Sequence, residues 1–247
     1  MSTKVKFTEY LLDKYADDFK IATTHPFLKS AGEGTIASEP LREWLKQDYL
    51  YAYVGYIKFA SSLLSKLHLS PNSSSINPTS NISRSVEIIT FSLSNVKRET
   101  DFFLSTSSKF NLSIFENSNQ DNNNNLLGEY NEITRSYVDF LHSIGGLGSI
   151  EEGLTLLWCM EKAYYEAWSF AKSHSHKFPN ENELNQTQKA LKEFINNWTN
   201  FEFKEFVDGC EEILNGSNIQ LNSDLAERCE DVFKRTLWLE QRFWPSV

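Results

Sequence analysis

The chain has 247 residues, 40% hydrophobic and 14% aromatic, which suits a large buried core and is too apolar for a disordered chain. Its net charge of −9, without a basic stripe, argues against a nucleic-acid surface. No apolar run approaches the ~18 residues of a membrane span, MSTKVKFTEY has no apolar leader, and Cys159, Cys210 and Cys229 are odd in number and lack metal-type spacing, so a reduced, cytoplasmic setting is expected.

Helical periodicity covers 7–23, 39–68, 83–110, 128–144, 150–175, 184–215 and 221–243, and strand-like alternation is absent. Ser38 ahead of Glu39-Pro40 and Ser149 ahead of Glu151 and Glu152 read as helix caps, and Gly145-Gly146 with Gly148 reads as a break. The polar stretches 70–83 and 116–125 are low-complexity and read as surface insertions. The expectation is one all-α domain over 1–247, a bundle of roughly seven helices.

Three of these helices carry an acid on the face that should be buried. In PLREWLKQDYLYAYVGY the stripe Leu41, Trp44, Leu45, Asp48, Tyr51, Ala52, Gly55 sets Asp48 among aromatics. In GLTLLWCMEKAYYEAW the stripe Leu154, Leu157, Trp158, Glu161, Tyr164, Tyr165, Trp168 does the same for Glu161. Near the end, Phe233, Leu237, Glu240 and Trp244 share a face. A carboxylate on such a face costs several kcal/mol unless it is paired or neutral. One such acid reads as a hydrogen-bonded core residue, whereas three together describe the lining of a small-molecule pocket.

Two ligand chemistries use several carboxylates inside a helical bundle. A di-iron centre needs Glu-x-x-His pairs, and none of His25, His68, His142, His174 and His176 has a glutamate three residues upstream. No metal or cofactor is therefore expected. A flat, nitrogen-rich heterocycle fits better: aromatic rings stack on it, and carboxylates accept from its amino groups and share a proton with its ring nitrogens.

The segments HPFLKSAGEGTI, REWLKQDYLYAY, SYVDFL, LWCMEKAYYEAW, FINNWTNFEFKEFV and LEQRFW follow one another in an order that resembles the TenA/thiaminase II family, helical proteins of the haem-oxygenase-like fold. The resemblance implies an enzyme of thiamin salvage that acts on the aminopyrimidine half of thiamin breakdown products. It also implies that Asp48 binds the substrate's amino group, with Tyr51 lining the site and Tyr137 at the position of the tyrosine in the Y-x-D/S-[FY]-L segment. Glu240 matches the glutamate that acts at the ring nitrogen and in proton transfer, and Phe243 follows it. A homo-oligomer, dimer or tetramer, is implied as well.

The family has two branches. In one, a cysteine is the nucleophile; in the other, a WA-I-E-x-x-Y-like segment supplies a glutamate instead. LWCMEKAY resembles the second, with Glu161 and Tyr164 at the matching positions, and Trp198 stands where the first branch has a site tyrosine. Cys159 nevertheless falls where a simple alignment puts the nucleophile, although it lies roughly 160° around the helix from Glu161. The two routes stay open: covalent attack by Cys159, or water handled by Glu161 and Glu240. A non-catalytic pyrimidine-binding or regulatory member of the same fold is the alternative, and a haem- or iron-dependent oxidative enzyme would need a buried histidine.

Overall fold

The computed structural model describes residues 5–69, 77, 80–114 and 130–247, and among these every regular element is a helix. Helices are more numerous than the expected seven because two of the periodic segments divide. The segment 7–23 divides at Tyr15 into α1 (Phe7–Lys14) and α2 (Ala16–Thr23). An additional short helix, α3 (Pro26–Glu33), follows. His25 caps α3, its Nδ1 accepting from the Phe27 N–H at 3.2 Å, and Gly34 ends it with a φ of 67° that favours glycine.

Helix α4 (Ser38–Leu50) starts on Ser38 itself, with Ala37 as an N-cap that makes no side-chain bond, so Ser38 is not the cap. Pro40 is tolerated there because first-turn amides have no intrahelical partner. The helix then runs without a break through a π-helical turn (Tyr51–Tyr56) into α5 (Ile57–Lys66). In that turn the Ile57 N–H bonds to the Ala52 carbonyl, five residues back.

Ser80 caps α6 (Asn81–Lys109), so the end of the polar stretch 70–83 opens a helix; residues 70–76 and 78–79 of that stretch and all of 116–125 lie outside the described residues. Helix α7 (Glu132–Leu147) runs through Gly145 and Gly146 and ends only at Gly148. Gly145 remains helical and rests against Phe59 of α5. Ser149 then opens α8 (Ile150–Ser173) with a reciprocal capping box. Its Oγ accepts from the Glu152 N–H at 3.2 Å, and Glu152 Oε2 accepts from the Ser149 N–H at 2.7 Å. Ser149→Ala should cost about 1 kcal/mol, read as a lower urea midpoint at unchanged slope. An unchanged midpoint would show that the cap contributes nothing to stability.

The segment 184–215 divides at Thr199–Asn200 into α9 (Gln186–Trp198) and α10 (Phe201–Gly216), because the Asn200 side chain caps the second helix at the Phe203 N–H, 2.8 Å away. The last helix, α11 (Asp224–Phe243), stops where Trp244 turns extended ahead of Pro245.

Helix α8 is the axis of the molecule. Residues Gly153 to Glu161 are buried in unbroken succession, and α2, α3, α9, α10 and α11 pack around it. Helix α3 comes so close that a Cβ on Gly32 would lie 2.0 Å from the Ala171 carbonyl oxygen. Most of α8 is enclosed, with Lys162 and Glu166 paired along its partly exposed edge, and Glu161 falls on the enclosed face. One continuous apolar cluster runs from Phe7 to Trp244. At its centre Trp44 packs against Trp168, Phe194, Trp198 and Trp244, with ring centroids 5.2 to 6.5 Å apart.

Candidate active site

The acid-bearing faces of α4, α8 and α11 meet, together with α6 and α7, around one cavity. Asp48, Tyr51, Tyr137, Glu161, Tyr164, Trp198, Glu240 and Phe243 all line it. Ala52, Tyr56, Val96, Glu99, Phe103 and Met160 complete the wall. Cys159 is not among the lining residues: it is fully buried, and its Sγ lies 4.0 Å from the Phe233 carbonyl on α11. The helical phase that turns Glu161 to the cavity turns Cys159 toward Phe233. Burial also pushes its thiol pKa well above the usual range, with the charge of Glu240 adding to this. A thiolate is therefore disfavoured at that position.

The acids expected on apolar faces each have a tyrosine. The Tyr164 hydroxyl donates to Asp48 Oδ2, that of Tyr56 to Glu161 Oε1 and that of Tyr137 to Glu240 Oε1, each at 2.5 Å. Asp48 and Glu240 are 4% exposed and Glu161 is 8% exposed. Burial pushes Glu240 up to about 7 against the pull of Tyr137. Burial, with the Glu99 charge next, pushes Glu161 up to about 8. Asp48 is raised well above its ordinary value by burial, opposed by Tyr164 and reinforced by Glu99 and Glu240. Near neutrality the cavity thus holds both protonated and ionised carboxyls.

Tyr51 crosses the cavity, donating to Met160 Sδ at 2.9 Å and packing on Tyr137 and Phe243 at 4.8 and 5.7 Å between centroids. Phe243 stays on the lining, while Trp244 turns away: its indole N–H donates to the Ala22 carbonyl at 3.2 Å and its ring stacks on Phe27. Among the described residues no group of three or more His, Cys, Asp or Glu is arranged to hold a metal, and no helix is long and apolar enough to cross a membrane.

Two polar lining residues are not singled out by the sequence reading. Tyr56 escapes because α-helical counting places Gly55 on the stripe. The π-helical turn delays the stripe by one residue, so Tyr56 reaches Glu161 and Gly55 packs against Val138 and Leu141 of α7. Glu99 escapes because it sits in NVKRETD, which reads as a solvated run. The signal was there nevertheless: Ile89, Ser92, Val96, Glu99 and Phe103 share one face of α6. Its Oε1 accepts from the Trp198 indole N–H at 3.0 Å.

The model of the TENA/THI-4/PQQC family matches residues 12–86 and 123–247. A TenA homologue from Pyrococcus furiosus has 28% sequence identity and a TM-score of 0.76, over 96% of this chain and 98% of that one. A Glycine max protein named "Probable bifunctional TENA-E protein" is 24% identical over 98% of this chain and 93% of its own length. A Fusarium pseudograminearum protein named "Probable transcription factor" is 26% identical over 97% of this chain, which spans about half of that relative, 51% of its length. With its haem-oxygenase-like helical fold and these matches, the chain belongs to the TENA/THI-4/PQQC family, the family of TenA and thiaminase II.

Proposed function

We propose that the chain is an aminopyrimidine hydrolase of thiamin salvage, acting on the aminomethyl or formylaminomethyl derivative of 4-amino-2-methylpyrimidine. The observation that carries this reading is the set of tyrosine-paired acids around one aromatic cavity. Asp48 accepts from the 4-amino group, and Glu240 meets a ring nitrogen. Tyr51, Tyr137 and Phe243 grip the faces of the ring, Tyr164 holds Asp48 in place, and Trp198 closes the wall beside Glu99.

Glu240, with a pKa of about 7, can lend a proton to the ring nitrogen and so draw electrons from the substituted carbon. Glu161, when ionised, takes a proton from water as the water oxygen bonds to the methylene carbon. The carbon–nitrogen bond breaks, and the amine departs with a proton from the carboxyl pair. With the formyl derivative the water oxygen bonds to the formyl carbon instead, and formate and the aminomethyl pyrimidine result. This is the glutamate route, and the burial of Cys159 away from the cavity supports it over the covalent one.

Purified protein incubated with thiamin, the aminomethyl pyrimidine and its formyl derivative should release ammonia or formate from the latter two. Binding without turnover would favour the regulatory reading, to which the name of the Fusarium relative lends some weight. Failure to bind any of them would sink both readings. Cys159→Ala should lower kcat/KM by less than about tenfold, since the thiol has no part in the glutamate route. Complete loss in a well-folded Cys159→Ala protein would restore the covalent route.

A further inference from the structure

Four carboxyls line the cavity, and among the described residues none of them pairs with a lysine or arginine. The cation next in sequence, Arg98, is turned outward to Glu202 at 3.2 Å and Asn95 at 2.5 Å. The site is therefore acidic beyond what a neutral pyrimidine needs. Asp48 and Glu240 suffice for the ring's amino group and nitrogen, and Glu161 suffices for the water.

Glu99 remains, and it differs from the others in its partner. A tyrosine hydroxyl can donate or accept, but the Trp198 indole N–H only donates, so it favours the ionised form of Glu99: burial raises the acid to about 7, opposed by Trp198, the charge of Arg98 and Asn95. Glu99 is also the one of the four acids that is only partly buried as a residue. Its charge raises the pKa values of both Asp48 and Glu161, which puts it within electrostatic reach of each. Around it stand Trp198, Phe103 and Tyr164. The Trp198 ring lies 5.8 Å from Phe103 and 5.2 Å from Tyr164 between centroids, an aromatic surround that also favours a cation.

We propose that Glu99, backed by Trp198, is the subsite for a protonated primary amine on the substrate, the aminomethyl arm of the pyrimidine. The inference rests on the aminopyrimidine reading and narrows it: the chain selects the charged aminomethyl compound over neutral analogues with the same ring. An arm bound as its ammonium already carries the proton its leaving group needs, so the amine departs as ammonia and the proton taken from water stays on Glu161. Only an arm that arrives neutral draws on the carboxyl pair.

The test compares wild type with Glu99→Gln at neutral pH, with the aminomethyl pyrimidine and its neutral hydroxymethyl analogue as probes. Stopped-flow quenching of tryptophan fluorescence reads Kd before turnover. Glu99→Gln removes one of four mutually repelling acids, so it should fold, with a thermal midpoint no lower than wild type. Its Kd for the amine should rise by about tenfold or more, and that for the hydroxymethyl compound should stay within about threefold. Equal weakening of both, or no change in the amine, overturns the subsite. Wild type that binds the hydroxymethyl compound while Glu99→Gln leaves amine affinity intact defeats this inference alone. Wild type that binds neither probe defeats the pyrimidine reading and this inference together.

Discussion

Glu240→Gln is expected to leave substrate affinity within about threefold while kcat falls by about 10²-fold or more. Glutamine keeps the volume and can still accept from Tyr137, whose hydroxyl lies 2.5 Å from Glu240 Oε1. Its amide can also donate to a ring nitrogen, so the ground-state contacts survive. What is lost is a proton that can be given and taken back near neutrality, which the value of about 7 makes possible for the acid. Calorimetric Kd measured beside turnover separates the two effects. Equal losses in affinity and rate would mean that Glu240 only holds the ligand, and proton transfer would pass to Glu161.

Asp48→Asn should lower kcat/KM by about 30-fold, roughly 2 kcal/mol, because the charge-assisted bond to the 4-amino group disappears. Stability should move the other way. In the unfolded chain an aspartate ionises near 3.8, whereas burial in the fold raises the carboxyl of Asp48 well above that. Glu99, Glu240 and Glu161 behave alike, from 4.5 to about 7, about 7 and about 8. Across that window the native state holds more protons than the unfolded one, so the slope of unfolding free energy with pH is negative. Ligand-free protein should therefore lose stability as pH rises from about 5 to about 8, and Asp48→Asn should flatten the slope and raise the midpoint near neutrality. Glu33 and Glu230, whose pKa values are lowered, act only at the acid end, where their contribution is lost as pH falls. A variant that unfolds, or one with full activity, would make Asp48 a structural acid.

The legible part of the site is the part written in helical phase. Asp48, Glu161 and Glu240 stand out because each interrupts an apolar stripe three or four residues from its neighbours, and a stripe is visible without coordinates. Their tyrosine partners come from other helices, and spacing along one helix says nothing about which hydroxyl a carboxyl meets. Glu99 was hidden by its company: Lys97, Arg98 and Asp101 give the run a solvent-facing character that tertiary packing of α6 overrides for one residue. Capping divided one of the helical segments for a similar reason. Asn200 looks like any polar residue within 184–215 until its side chain is seen to accept from the Phe203 N–H. Ser38 failed in the opposite direction, since a residue with good capping chemistry was drawn into helical geometry and gave the cap position to Ala37. The all-helical class itself needed only periodicity.

The wide turn at Tyr51–Tyr56 carries a consequence for descent and for redesign. Helices α4 and α5 form one rod, but their faces are counted in two frames that differ by a single residue. Deleting one residue between Tyr51 and Tyr56 would let the rod relax to ordinary α geometry with its backbone bonds intact. It would also keep α5 in its present frame with the Tyr56 hydroxyl on Glu161, whereas closing the turn to α geometry without a deletion would swing α5 by about 100° and carry that hydroxyl off. Whether a hydroxyl faces this site carboxyl thus depends on the width of one helical turn, with every residue type unchanged. A gapless comparison with a relative whose rod lacks the extra residue would pair Gly55 with the wrong counterpart, so inheritance of this contact has to be traced by the register of the rod.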